Sequence, residues 1–238
     1  MRGGYLVYKM IYDGVDISKY VVIEDIKRPL INISTNYGEI PGIDGLVFKR
    51  KKNNEKVIEI RIRLIEDMFK KNLNTTKDLL NTYLVKDKPS KLELSDYPDR
   101  YEMAILDGNI NFEKFLKTGM AILTFKNPSG IFYSKEISTS TYNKGNKDCP
   151  LIIEANISGE RVKIIHKESL KQITINTKDF VGKNIKIDTE LEEITIENKL
   201  NMKSLYFDSD FFYLIPGANS LIITGLSSIK YKNRARWL

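Results

Sequence analysis

Val57-Ile58-Glu59-Ile60-Arg61-Ile62-Arg63-Leu64 alternates strictly between aliphatic and charged residues. Successive side chains of an extended chain point to opposite faces, so Ile58, Ile60, Ile62 and Leu64 make one apolar face and Glu59, Arg61 and Arg63 the other. A helix would scatter the same isoleucines around its axis. The stretch therefore reads as a long, half-buried β-strand. Its expected partner is Leu46-Val47-Phe48. The connection between them, Lys49-Arg50-Lys51-Lys52-Asn53-Asn54-Glu55-Lys56, is strongly charged and is expected to protrude as a hairpin arm.

Strand signals also dominate on either side. Leu6 to Ile11 reads as a strand closed by the turn pair Asp13-Gly14, and Tyr20 to Ile26 as a second, stopped by Lys27-Arg28-Pro29. A Gly/Pro-rich segment runs from Gly38 to Gly45. One helix is expected, capped by Asn74 or Thr75, with Leu79, Leu80, Tyr83 and Leu84 on one face and an end before Pro89. Strands follow at Lys91–Leu94, Tyr101–Leu106, Ile110–Phe115 and Met120–Phe125, with Asp107-Gly108-Asn109 as a turn. Asn127-Pro128-Ser129-Gly130 then closes a compact α+β unit.

From about residue 136 the pattern changes. Short β-rich runs recur at Leu151–Ile157, Arg161–Ile165, Gln172–Thr177, Asn184–Ile187, Ile194–Glu197, Ser204–Phe207, Phe211–Ile215 and Leu221–Thr224. No helical period accompanies them, which predicts a β-sandwich. Ser138 to Lys147 is the most linker-like stretch. The final segment, Ile229 to Leu238, is a basic strand carrying Trp237.

The 238 residues suit one large domain or two small ones, and 42% apolar content is enough for a real core. No apolar run approaches the roughly 20 residues of a membrane-spanning helix, so membrane insertion is not expected. The opening MRGGYLVYKMIYDG alternates with polar residues and lacks the apolar block of a signal peptide, so the protein is expected to be made in the cytoplasm. The net charge of +7 is uneven. Residues 1–135 carry +5, residues 136–227 carry −2 and the last eleven +4. The basic excess is spread out without aromatic interleaving, which favours a solvated or inter-subunit surface over sequence-specific nucleic-acid binding.

The residues of catalysis are sparse. The single histidine, His166, leaves no set for a His-based metal site or a triad with a spare base, and it is expected at the surface or the edge of a core. The single cysteine, Cys149, beside Pro150, reads as a buried neutral thiol. Glu192-Glu193 would point to opposite faces of a strand, and Asp208 and Asp210 flank a turn. No phosphate-cradling glycine loop is present. Neither a catalytic residue nor a cofactor or metal ligand is assigned.

Several segments together resemble the siphovirus distal tail protein family. They are Tyr12-Asp13-Gly14-Val15-Asp16-Ile17-Ser18-Lys19-Tyr20 followed by Lys27-Arg28-Pro29, the Pro41-Gly42-Ile43-Asp44-Gly45 loop, and the helix ending Leu79-Leu80-Asn81-Thr82-Tyr83-Leu84. Leu92-Glu93-Leu94-Ser95-Asp96-Tyr97-Pro98-Asp99-Arg100-Tyr101, leading to Leu106-Asp107-Gly108-Asn109-Ile110, is the most telling. Pro216-Gly217-Ala218-Asn219-Ser220-Leu221 and a basic end with Arg234, Arg236 and Trp237 complete the likeness. Their order and spacing carry it, and residues 136–210 match only in general character.

The resemblance implies a mainly β protein with an α+β N-terminal belt domain and a C-terminal galectin-like β-sandwich. It implies a non-enzymatic homo-hexameric ring in the virion, assembled in the bacterial cytoplasm, joining the tail-tube protein to the tail hub or tail-associated protein. Lys49, Arg50, Lys51 and Lys52 are the expected subunit contact. Ile229–Leu238 is expected to return to the N-terminal domain, where Trp237 would plug its core. The domains would then be 1–135 plus 229–238, and 136–228. The competing expectation is a module for host-surface glycan, or a dock for a receptor-binding protein, on the sandwich. Tyr206, Phe211 and Tyr213 are the sugar-contact candidates, within an aromatic group that includes Phe207 and Phe212.

Overall fold

The isoleucine row sits inside a long antiparallel sheet. The computed structural model describes residues 8–29, 33–42, 44–65, 73–108 and 118–238, and the chain divides into two units between Phe132 and Tyr133. The strands of the first unit are β1 (Met10–Tyr12), β2 (Val15–Asp16), β3 (Val21–Lys27), β4 (Ile33–Gly38), β5 (Val47–Asn53), β6 (Lys56–Leu64), β7 (Ser90–Leu94), β8 (Arg100–Leu106) and β9 (Met120–Asn127), with one helix, α1 (Leu73–Leu84). The expected strand at Ile110–Phe115 and the start of the one at Leu6 lie outside the described residues.

Seven strands run in the order β2-β1-β7-β8-β9-β6-β3. β6 pairs antiparallel with β3 on one side and β9 on the other. Ile58, Ile60, Ile62 and Leu64 are buried while Glu59, Arg61 and Arg63 are exposed, as the alternation requires. Tyr12 meets Phe125 edge-on at 5.1 Å, and its hydroxyl donates to the Ala104 carbonyl at 3.1 Å. Leu80 and Leu84 of α1 close the same core, and Tyr83 stacks on Tyr20 at 5.5 Å. Each such aliphatic or aromatic side chain contributes about 1.5–3 kcal/mol of burial. Asn74 and Thr75 lie inside α1 and do not precede it.

One pairing differs from expectation. β5 does not pair with β6. It pairs with β4, forming a separate two-stranded ribbon, and Lys49–Lys52 belong to the strand itself, not to a loop. Described residues of the Gly/Pro-rich segment follow β4, which ends at Gly38. The polar residues Ser34, Thr35 and Asn36 suit a ribbon exposed on both faces, whereas β6 needs two apolar neighbours to bury its row.

The second unit contains β11 (Leu151–Ile157), β12 (Arg161–His166), β13 (Lys171–Asn176), β14 (Asn184–Asp188), β15 (Glu193–Ile196), β16 (Lys199–Leu200), β17 (Leu221–Thr224), β18 (Leu226–Asn233) and β19 (Arg236–Trp237). β10 (Phe132–Ser134) straddles the division. A five-stranded sheet, β16-β15-β14-β11-β18, and a three-stranded sheet, β13-β12-β17, share one core. Ile153, Ile185, Ile187, Ile194 and Ile196 come from the first, and Val162, Ile164, Ile173 and Ile175 from the second. This is a β-sandwich. Ser204–Phe207 and Phe211–Ile215 are not ladder strands; Leu205 and Leu214 make single bridges to Ile175 and Cys149.

The C-terminal segment pairs within the second unit over most of its length. Residues 226–233 pair with β11 inside the sandwich, and the whole of 133–238 forms the second unit. Two ion pairs accompany this pairing. Lys232 meets Glu154 at 2.7 Å, and Arg236 pairs with Glu190. Ile229 and Tyr231 pack on the sandwich core. Trp237 lies in this unit and is partly exposed.

Candidate functional site

The most unusual feature is the β4–β5 arm. Opposite residues on the two strands share a face, so Ile33, Tyr37 and Phe48 lie on one side. A register shift between Asn36 and Tyr37 leaves Lys49 as an extra, bulged residue. The bulge puts Phe48 and Arg50 on opposite faces although they are two residues apart. Tyr37 and Phe48 touch edge-on at 6.0 Å, yet they are 49% and 56% exposed. Ile40 and Leu46, toward the loop, are also exposed. The arm therefore has an apolar tip and a basic shaft in which Lys49, Arg50, Lys51 and Lys52 all face solvent. A two-stranded ribbon is marginal on its own, and exposed aromatics on it favour a covering partner.

In the sandwich, the candidate aromatics have different surroundings. Phe212 is 2% exposed and belongs to the core, and Phe211 packs against it. The Tyr206 hydroxyl accepts from Arg161 at 3.0 Å, with the guanidinium over its ring, while Tyr213 lies under Arg236. Phe207 is fully exposed. A different feature crosses the five-stranded sheet, a groove of about 410 Å³ lined by residues that include Glu154, Asn156, Lys186, Thr195, Glu197 and Lys230. None of its lining residues is aromatic. Glu154 is engaged by Lys232 and Glu197 accepts the Asn184 N–H at 2.7 Å, so the groove is a charge-balanced polar surface.

His166, expected at an edge, is fully buried and stacked on Phe212 at 4.8 Å. Asn219 Oδ1 accepts from the Ile215 N–H, and the Asn219 amide donates to the Ile215 and Gly217 carbonyls. That makes Oδ1 the acceptor toward His166 Nε2 at 2.8 Å, so Nε2 carries a proton, and Nδ1 shares a hydrogen bond with the Ser169 hydroxyl at 2.7 Å. With Glu168 a further 3.2 Å from Nε2, both ring nitrogens are committed to holding loops. Among the described residues, no three His, Cys, Asp or Glu side chains converge as a metal site, and no helix is long and apolar enough to cross a membrane.

Burial pushes the Cys149 thiol up to about 12, with Asp148 adding to the rise and Arg236 opposing it. At pH 8 the folded protein is then expected to resist thiol reagents completely, and labelling should appear only along the unfolding transition. Rapid labelling of the native chain would contradict this assignment.

Residues 15–127 match a family described as the phage tail protein RIFT-related domain, and residues 144–237 match the siphovirus-type tail component, C-terminal domain. The fold is similar to the crystal structure of the SPP1 Dit (gp 19.1) protein, with a TM-score of 0.81 and 18% identity over 98% of this chain and 100% of that one. That protein is described as a paradigm of the hub adsorption apparatus in phages infecting Gram-positive hosts. Chains of the phage P2 baseplate in its activated conformation, with calcium and with strontium, match with TM-scores of 0.52 at 12% and 13% identity, each over 96% of this chain and 97% of that one. At these identities the likeness to solved structures is one of fold. No curated protein sequence gives a match.

Proposed function

This chain belongs to the siphovirus tail component family, and from that premise we propose that six copies close into a ring at the distal end of a non-contractile tail. The ring joins the tail-tube protein on one side to the tail hub or tail-associated protein on the other. It assembles in the bacterial cytoplasm, ends in the virion and catalyses no reaction. The observation that carries this reading is the arm, whose apolar tip and basic shaft suit burial against a neighbouring copy. A patch on one copy that meets a different patch on the next is a heterologous contact, and such contacts close into rings when the rotation permits. The sandwich, galectin-like in this reading, faces outward and offers its surface to receptor-binding proteins. The engagement of Tyr206 by Arg161, of Tyr213 by Arg236 and of Phe211 by the core weighs against a sugar platform on those residues.

Native mass spectrometry at micromolar concentration, alone and with the tube and hub proteins, is the direct test. A mass of six chains is expected, and a chain that stays monomeric with both partners present refutes the ring.

The charge on the shaft makes a smaller, separate contribution. Reversing Lys49, Arg50, Lys51 and Lys52 to Glu is expected to weaken assembly about tenfold, because exposed ion pairs contribute only a few tenths of a kcal/mol each. The effect should shrink at molar salt, with melting of the monomer unchanged. Equal assembly of variant and parent at low salt would remove the shaft from the interface.

A further inference from the structure

Both feet of the arm lie beside one part-buried cluster of charges and rings. Arg28 directly follows β3, the strand before the arm, and Lys56 opens β6, the strand after it. The Arg28 fork binds Asp96 twice, through Nε at 2.8 Å and Nη2 at 3.2 Å, and its Nη1 binds Glu102. Glu102 is 1% exposed, and its second oxygen accepts from the Asn127 amide at 3.1 Å. Asn127, fully buried, in turn organises the turn that follows β9, accepting from the Ser129 and Gly130 N–H groups and donating to the Ile131 carbonyl. The guanidinium also lies 5.0 Å from the centre of the Phe132 ring and 5.6 Å from that of Tyr97, and the two rings are 5.2 Å apart. From the other foot, the Lys56 ammonium reaches the same Phe132 ring at 5.0 Å. Gly130, at φ +63°, leaves room for the Asn54 carbonyl, which would be 2.8 Å from a Cβ there.

Such a cluster is poorly explained by stability. Desolvating these charges offsets most of their attraction, and apolar replacements of similar size are often as stable. What a planar fork held at its edge and covered by rings supplies is direction. Burial disfavours the Arg28 charge, but Glu102 and Asp96 outweigh it, so the fork stays charged.

We propose that the Arg28–Asp96–Glu102 cluster, seated on Phe132 and Tyr97, fixes the direction in which the β4–β5 arm leaves the sheet, with Arg28 as its positioning residue. The consequence for assembly rests on the arm reading given above; the aiming itself does not.

The test measures direction. Spin labels at Leu46→Cys and Asp99→Cys, both exposed positions, report the distance from arm to sheet, and buried Cys149 stays unlabelled. The parent should give one narrow distance distribution. Arg28→Met combined with Glu102→Leu should broaden it at least about twofold while the chain stays folded. Assembly should weaken about tenfold if only a tenth of the arms remain correctly aimed. Arg28→Lys, which keeps the charge but loses the fork, should broaden it too and serves alone if the double variant does not fold. A narrow, unmoved distribution in a folded variant overturns the proposal. A broadened distribution with unchanged assembly upholds the aiming and instead removes the arm from the subunit interface.

Discussion

Replacing Gly225 with alanine is expected to destabilise the sandwich by about 3 kcal/mol or more. β17 ends at Thr224 in the three-stranded sheet, paired with β12, and β18 begins at Leu226 in the five-stranded sheet, paired with β11. The chain changes sheets across one residue. That residue has φ +78°, and a Cβ on it would lie 2.2 Å from the Arg161 carbonyl oxygen and 3.1 Å from the Val162 Cα. The left-handed conformation costs roughly 1–2 kcal/mol for an L side chain, and forcing a methyl group against backbone adds about 1–3 kcal/mol. Gly159 packs at the same corner, where a Cβ on it would lie 3.2 Å from the Gly225 Cα, so the corner has little room to shift. Gly182→Ala is the control, because it has φ +85° but nothing within 4 Å of its Cβ, and should lose only the conformational part. Chemical denaturation of the full chain measures both. Equal losses for the two variants would show that the collision at Gly225 is absorbed and that the corner is not rigid.

The second large effect is at the tip of the arm. Tyr37→Ser together with Phe48→Ser is expected to weaken ring assembly by two to three orders of magnitude, taking about 2 kcal/mol for each aromatic anchor at an interface. The pair is half exposed in the single chain, so its removal should leave monomer melting nearly unchanged. This predicted loss is far larger than that from reversing the four cations, since desolvated aromatics outweigh screened ion pairs. Analytical ultracentrifugation across a concentration series reads it directly. If the double variant assembles with the parent's midpoint, the tip is not buried between copies and the arm must serve another contact.

How far these features were legible depends on how local their causes are. The Ile58–Leu64 row is a strand in any context, because alternation is a property of the chain itself, and it is buried as written. Leu80, Tyr83 and Leu84 likewise share a helix face that meets the core. The family likeness was legible in the order of short turn-rich segments. Misassignments arose where pairing was the question. Leu46–Phe48 is near β6 in sequence but pairs with a strand on its other side. The basic C-terminal strand resembles the N-terminal unit in charge, while residues 226–233 pair with β11 through backbone that charge does not report.

The Arg28 cluster is the clearest case of something no segment announces. Its members, Arg28, Asp96, Glu102, Asn127 and Phe132, are spread over a hundred residues, and each alone looks like an ordinary loop or strand residue. By itself, the sequence determined most of the strands, the helix face, the glycine-rich loop and the scarcity of catalytic side chains, because these follow from periodicity, backbone freedom and residue chemistry. Only the tertiary structure decided which strand borders which and that Arg28 and Lys56 meet at one Phe132 ring, because strand pairing and side-chain contacts act through space between residues whose separation along the chain carries no record of the contact.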